Sequence, residues 1–315
     1  MCGITGGIGP SAPQQLLLDA QLKSIEHRGP DDSGTYLNNG IGLGMCRLAI
    51  VEIAAGKQPA SDAAEQIHIV WNGEIYNYRE LRQELEQSGI HCRTSSESEV
   101  IINLYLRFGL NFIGKLNGMF AIAIHDARDN SLHLIRDRMG KKPLWISHLS
   151  DGTMFFASEV RALMLARPDR TLRTEMVAEV MQYGYINSPN SAFNEISQVP
   201  PASVLTWHEG KTSTKKYWEP DFDTKVQIPY KEALEVTKKL IEELKPDTVI
   251  VQTSEKWWNS ARQLKFVDSQ EEMSKYGSQL DSYLSKPDFS MYSSQRKWLF
   301  QARLWLYGLV FKWHF

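Results

Sequence analysis

Short segments with a period of two, or apolar throughout, follow one another along the first half of the chain, with Gly, Asn and Asp between them. In residues 66–71, for example, Ile67, Ile69 and Trp71 occupy every second position, which is the spacing of side chains on one face of a strand. The pattern predicts strands at residues 2–8, 34–37, 41–51, 66–71, 118–126, 131–137, 144–148 and 153–157. Asn72-Gly73 predicts a tight turn after the fourth of them.

Apolar residues at helical spacing predict three helices among these strands, at residues 12–26, 78–87 and 97–108. Ser96 and Glu99 form a capping-box pattern at the start of the third helix. A few helices within a strand-rich chain favour an α+β fold, in which antiparallel sheet is covered by helices.

Composition limits the class of protein. The chain has 315 residues, of which 42% are apolar and 23% charged, as in an ordinary globular protein with a sizeable core. Its net charge is −2 and no basic block occurs, so we expect no nucleic-acid partner. The N-terminus has no basic-then-apolar signal.

The chain has an odd number of cysteines, Cys2, Cys46 and Cys92, at unrelated spacings. This pattern predicts free thiols in a reducing cytoplasm and neither a disulfide framework nor a metal site. Cys46 lies inside a predicted strand, where a small buried side chain is favoured over a second nucleophile.

Cys2 would combine a thiol and a free α-amine if Met1 is removed. The thiolate is a nucleophile, and an α-amine with an ordinary pKa of about 8 can accept its proton near neutral pH. The alternative is a cysteine that occupies position two by chance.

Further motifs occur downstream in a definite order, and together with the N-terminus they resemble the glutaminase half of the glutamine-hydrolysing asparagine synthetases over residues 2–220. The resemblance implies a class II amidotransferase with the four-layer αββα sandwich of the N-terminal nucleophile hydrolases. The motifs are Met1-Cys2-Gly3-Ile4, His27-Arg28-Gly29-Pro30-Asp31-Asp32-Ser33-Gly34, Arg47-Leu48-Ala49-Ile50-Val51, Asn72-Gly73-Glu74-Ile75-Tyr76-Asn77, Arg136-Asp137-Arg138-Met139-Gly140 and Ala157-Ser158-Glu159.

The resemblance also implies roles in hydrolysis of L-glutamine through a thioester. Cys2 would be the nucleophile, while the side-chain amide of Asn72 and the backbone N–H of Gly73 would stabilise the oxyanion. The alternative for Asn72-Gly73 is a hairpin turn without a catalytic role.

Three charged residues would bind the ends of glutamine. Arg47 would pair with the α-carboxylate, and Glu74 and Glu97 with the α-ammonium group. The alternatives are a solvated strand arginine, a turn carboxylate and a helix-capping carboxylate. The family usually has Asp where this chain has Glu97, and a displaced anchor lowers activity.

The second half of the chain departs from the family. Its ATP-dependent domain uses a Ser-Gly-Gly-x-Asp-Ser loop that cradles pyrophosphate, and this loop does not occur here. We expect an amidotransferase domain at residues 2–205, a linker with a helix (231–244) at 206–245, and an unassigned segment at 246–315 with a strand at 247–252. No cofactor is expected in the first domain, and ATP and Mg would act only through a partner synthetase domain.

The aromatic and apolar stretch at residues 298–315 has three open interpretations: a helix docked on the body or on a partner, an interfacial membrane helix, or a membrane span. For the whole chain we expect a glutaminase half-reaction, with ammonia passed to a separate or lost synthetase domain. The alternative is an inactive amidotransferase-like module that mediates interactions or regulation.

Overall fold

Two antiparallel sheets of six strands each form the centre of the computed structural model, which describes residues 2–38, 40–48, 56–94, 96–220 and Glu235. All of these except Glu235 belong to one compact unit, Met1–Asp221. The described strands are β1 (Gly3–Ile8), β2 (Asp32–Asn38), β3 (Ile41–Arg47), β4 (Ala60–Ser61), β5 (Ile67–Ile75), β6 (Gly118–Asp126), β7 (Ser131–Arg136), β8 (Trp145–His148), β9 (Met154–Ala157), β10 (Ile196–Gln198), β11 (Ser203–His208) and β12 (Lys211–Lys216).

The strand orders differ from the order in sequence. The first sheet runs β10-β8-β9-β1-β3-β2, and the second runs β12-β11-β7-β6-β5-β4. The described helices are α1 (Gln15–Ile25), α2 (Tyr78–Gln87), α3 (Glu97–Phe108), α4 (Val160–Ala166) and α5 (Glu175–Tyr183).

Three apolar clusters divide this unit into four layers. The inner cluster lies between the sheets and joins Ile4 of β1 to Leu134 of β7. A second cluster covers the outer face of the second sheet with side chains of α2 and α3, such as Leu85 and Leu104. The third covers the outer face of the first sheet with α1 and α4. This arrangement confirms the predicted αββα sandwich.

Asn72 and Gly73 do not form the predicted turn. They continue β5, paired with Ala121 and Phe120 of β6. Asn-Gly is a common turn sequence, but β6 and the cluster on each face of the sheet supply pairing and burial, which override this local preference.

The start of α3 agrees with the prediction, but its capping differs in detail. The Ser96 hydroxyl accepts a hydrogen bond from the backbone N–H of Ser98. The Glu99 carboxylate accepts from the backbone N–H groups of Arg93 and Thr94, at 2.9 and 2.6 Å, and so holds the preceding loop. The reciprocal half of the predicted capping box therefore falls on residues before Ser96.

The predicted domain boundary at residue 205 falls inside β11, and β12 pairs with β11 along its whole length. β12 is exposed throughout and rich in Lys and Thr, so it has no apolar period to reveal it. The end of the strand at 41–51, the helix at 231–244 apart from Glu235, the strand at 247–252 and the aromatic stretch at 298–315 lie outside the described residues. No helix that the structure describes is long and apolar enough to span a membrane.

Two buried histidines at one end of the second sheet make the stability depend on pH. Burial lowers the pKa of both His125 and His133 below the ordinary value of 6.5. The unfolded chain therefore binds more protons than the folded chain. We expect the free energy of unfolding to hold above about pH 6.5 and to fall below it, toward the folded pKa values. Urea denaturation at several pH values measures this, with the exposed His91→Gln variant as a control that keeps the same slope. A free energy that stays constant between about pH 7 and pH 5 would contradict it.

Candidate active site

A cavity of about 350 Å³ opens among the residues that the sequence analysis singled out. Its volume lies in the range of about 300–1,000 Å³ that small-molecule sites occupy. All the predicted site residues line it: Cys2, Arg47, Asn72, Gly73, Glu74 and Glu97. Segments that are distant in the sequence therefore meet at one place.

Strand alternation explains why polar side chains face this cavity. In β3, Met45 belongs to the inner cluster, and Arg47 follows two positions later. In β5, Val70 belongs to the same cluster, and Asn72 and Glu74 continue its face. The inner faces of both sheets thus change from apolar to polar at one end, where the cavity lies.

Asn72 and Gly73 combine an unpaired donor with a close backbone approach. Asn72 is 2% exposed, and its Nδ2 has no hydrogen-bond partner among the described residues. Leaving a buried donor unpaired costs about 1–3 kcal/mol, so the position suits an acceptor that a ligand brings. A Cβ at Gly73 would lie 2.1 Å from the carbonyl oxygen of Met119, so only glycine fits here.

The first residues of the chain are fixed by contacts on both sides of Cys2. The Sγ of Cys2 lies 3.9 Å from the carbonyl oxygen of Leu48. The carbonyl oxygen of Cys2 accepts a 3.0 Å hydrogen bond from Nε of Arg28, whose Nη1 is 3.1 Å from Oε1 of Glu159. Arg28 is thereby held between the Glu159 carboxylate and the backbone of Cys2.

Two further motif residues hold this region at backbone level. The Ser158 hydroxyl accepts from the backbone N–H of Ile4 at 3.0 Å, and the Ser158 N–H donates to the Ile4 carbonyl at 2.8 Å. Gly29 lies against β3, where a Cβ would approach the carbonyl carbon of Arg47 to 2.5 Å. The quoted motifs thus support the strands that carry Cys2 and Arg47.

Glu97 enters the cavity at the first turn of α3. The Ser96 cap and a 2.9 Å hydrogen bond from the Trp71 indole to the Ser98 hydroxyl fix this helix end against β5. The positive end of the helix dipole favours a carboxylate here.

Cys46 lies on the opposite face of β3 and does not line the cavity. It is 2% exposed, its Sγ is 3.4 Å from the Leu22 carbonyl oxygen, and it packs with α1. Burial raises the pKa of its thiol to about 11. Cys46 is therefore a protonated packing residue at neutral pH, as the sequence analysis favoured.

Two residues of the site were missed in the sequence. Arg28 belongs to a quoted motif, but only the fold shows that it binds the Cys2 carbonyl. Lys142 is 6% exposed and lines the cavity. Burial, followed by the charge of Arg28, lowers the pKa of Lys142. Lys142 lies in a loop, where no periodic pattern of apolar residues marks it in the sequence.

The geometry defines a class. A cysteine at the start of a central strand of an αββα sandwich, beside charged groups of both signs and an amide donor with no partner among the described residues, is the arrangement of an N-terminal nucleophile hydrolase. Such a site can perform acyl transfer on a small zwitterionic substrate.

Comparison with known proteins assigns the family. Residues 1–218 match the family model described as a glutamine amidotransferase domain. The chain belongs to this family of glutamine amidotransferase domains.

Individual relatives agree with that assignment. The chain is 35% identical over 228 residues to asparagine synthetase [glutamine-hydrolyzing] 1 of Bacillus subtilis, a match that covers 70% of this chain and 36% of that protein. The chain therefore spans well under half the length of this relative. The solved structure of the allosteric regulatory enzyme of purine biosynthesis is similar at TM-score 0.54, with 20% identity over 70% of this chain and 50% of that one. Glutamine phosphoribosylpyrophosphate amidotransferase from B. subtilis has TM-score 0.53, with the same identity and coverage. These two structures support the fold.

Proposed function

We propose that this chain hydrolyses L-glutamine to glutamate and ammonia through a thioester on Cys2. The observation that carries the proposal is the meeting of Cys2, Arg47, Asn72 and Glu74 at one cavity, in which the Asn72 amide donor has no partner among the described residues. Family membership and similarity to asparagine synthetases support glutamine as the substrate.

Charge complementarity supports the binding mode. Glutamine carries an α-carboxylate and an α-ammonium group, and the cavity wall contains a buried arginine and two carboxylates. Arg47 pairs with the α-carboxylate through its planar guanidinium, which offers two parallel donors. Glu74 and Glu97 accept from the α-ammonium group.

The bond changes of the reaction can be written with these residues and water. The Cys2 α-amine, freed by removal of Met1, takes the proton of the thiol, and the sulfur attacks the side-chain amide carbon of glutamine. The oxyanion accepts from Nδ2 of Asn72 and the N–H of Gly73. The carbon–nitrogen bond breaks, the α-ammonium protonates the leaving group, and ammonia departs. Water then cleaves the carbon–sulfur bond, which releases glutamate and restores the thiol.

Delivery of ammonia to a second protein is part of the proposal. A separate ATP-dependent synthetase chain would consume it for asparagine synthesis or a related amidation, and ATP and Mg would be bound there. A reducing cytoplasm suits three cysteines that are all free in the structure.

The test is a product assay on the purified chain. We expect glutamate and ammonia from glutamine in equal amounts, and neither asparagine nor aspartate-dependent pyrophosphate when aspartate, ATP and Mg are added. A folded protein that releases no ammonia would overturn the proposal in favour of an inactive module. Aspartate-dependent pyrophosphate would overturn the assignment of the second reaction to another chain.

A further inference from the structure

We propose that Lys142 supplies the positive charge that compensates the sulfur of Cys2 when it loses its proton, and that Lys142 thereby sets the reactivity of the nucleophile. The inference rests on the proposed function and deepens it, because no role in binding or hydrolysis has yet been given to this residue. Lys142 would act through Cys2 and not on glutamine itself.

Lys142 lines the same cavity as Cys2 and is 6% exposed, so its ammonium group is largely removed from solvent. A charge in a partly desolvated cavity acts on its neighbours more strongly than one on the surface, because water screens it less.

Lys142 and Cys2 interact electrostatically, and the interaction affects both groups. Burial and Arg28 lower the pKa of Lys142, while Asp137, Cys2 and Glu74 raise it. Cys2 raises it only in its anionic form, and interaction energies are reciprocal. The Lys142 ammonium therefore stabilises the Cys2 thiolate by the same free energy with which the thiolate stabilises the ammonium.

Hydrogen bonds from two sides fix the backbone of the loop that carries Lys142. The Asp137 side chain is 1% exposed and accepts from the backbone N–H groups of Met139 at 3.1 Å, Lys141 at 2.9 Å and Lys142 at 2.9 Å. On the other side of the loop, Nε of Arg136 donates to the Lys142 carbonyl at 2.9 Å.

Arg136 ties this loop to its surroundings as well. Its remaining nitrogens donate to the carbonyls of Gly140 and Val199, both at 2.7 Å. The backbone of Lys142 is thus held on two sides by buried ionic side chains. A loop fixed in this way holds the base of the lysine side chain at a constant position in the cavity wall.

The basic residues at and near the cavity contact different groups. Arg47 is assigned to the substrate carboxylate, and Arg28 is paired with Glu159. Arg79, at the exposed rim, contacts the ring and hydroxyl of Tyr78. Lys142 is a buried basic residue of the same wall, within electrostatic reach of Cys2. The same charge disfavours a second cation on the nearby α-amine, which must be neutral to act as base.

The experiment measures alkylation of Cys2 by iodoacetamide as a function of pH, in the full-length chain, with peptide mass spectrometry to assign each thiol. Lys142→Met removes the charge at similar side-chain length, and Lys142→Arg retains it. Lys141→Met removes a neighbouring charge that does not line the cavity. The partly exposed Cys92 in the same molecule provides a reference rate that reports on folding.

We expect Lys142→Met to slow alkylation of Cys2 about fivefold or more at neutral pH, relative to Cys92, and to move its pH profile upward. Lys142→Arg and Lys141→Met should keep the original profile. A Lys142→Met profile that superimposes on that of the unaltered protein would overturn the inference. An equal shift in Lys141→Met would also overturn it, because the effect would then be general to the loop.

Alkylation requires no glutamine turnover, so the two proposals fail separately. A chain that releases no ammonia from glutamine but shows the shift would refute the hydrolysis and keep the role of Lys142. A chain that hydrolyses glutamine with an unchanged Lys142→Met profile would do the reverse.

Discussion

Cys2→Ala is expected to lower glutamine hydrolysis by about a thousandfold or more, because the variant keeps the cavity but has no sulfur to form the thioester. The measurement is ammonia release under saturating glutamine. Since the Cys2 side chain is partly exposed at the margin of the inner cluster, and its Sγ lies as far as 3.9 Å from the Leu48 carbonyl oxygen, the variant should fold as the unaltered protein does.

Cys46→Ala is the matched control for this loss. Cys46 is the next cysteine in the chain. It lies on the face of β3 that points away from the cavity, in the cluster with α1. Removing its sulfur leaves a small cavity that costs about 1 kcal/mol of stability and should leave most of the activity. Hydrolysis that persists in Cys2→Ala, or disappears in a folded Cys46→Ala, would reverse the assignment of the nucleophile.

Gly73→Ala is expected to have the second largest effect. The added methyl group would lie 2.1 Å from the Met119 carbonyl oxygen and 2.7 Å from Cα of Phe120, so β5 and β6 must separate locally. We expect a loss of stability of about 3 kcal/mol. A shift of about 1 Å in the oxyanion donors would lower hydrolysis about 100-fold.

Gly114→Ala makes the same chemical change without the clash, because a Cβ at Gly114 would meet nothing within 4 Å. Urea denaturation and ammonia release of both variants separate the two contributions. Equal behaviour of Gly73→Ala and Gly114→Ala would show that close strand approach at Gly73 is not required.

The strands and helices of the layers were largely predictable, because apolar residues recur at regular intervals along each of them. The bounds of α2 and α3 agree with the predictions, since each helix presents a regular apolar stripe to the second sheet. By contrast α5 was not predicted, although Val177, Val180 and Met181 recur at helical spacing, and the structure buries none of its residues.

Site residues were predictable where a motif accompanied them and not where only the fold brings them together. Asn72 was found by its motif although its local structure was misread, because a turn preference says nothing about the strand that pairs alongside. Arg28 and Lys142 act through contacts between distant segments. Nothing in the neighbouring sequence of Lys142 indicates that Asp137 and Arg136 hold its backbone or that its side chain lines the cavity.

If a free N-terminal Cys2 is the nucleophile, one mass measurement on the purified protein shows it. The purified protein is treated with an electrophilic glutamine analogue, and its intact mass and peptides are determined together with its activity. We expect that Met1 is absent, that one adduct forms on Cys2, and that hydrolysis is lost in proportion to labelling. A protein that hydrolyses glutamine while Met1 is retained, or whose inactivating adduct lies on Cys46 or Cys92, would contradict it.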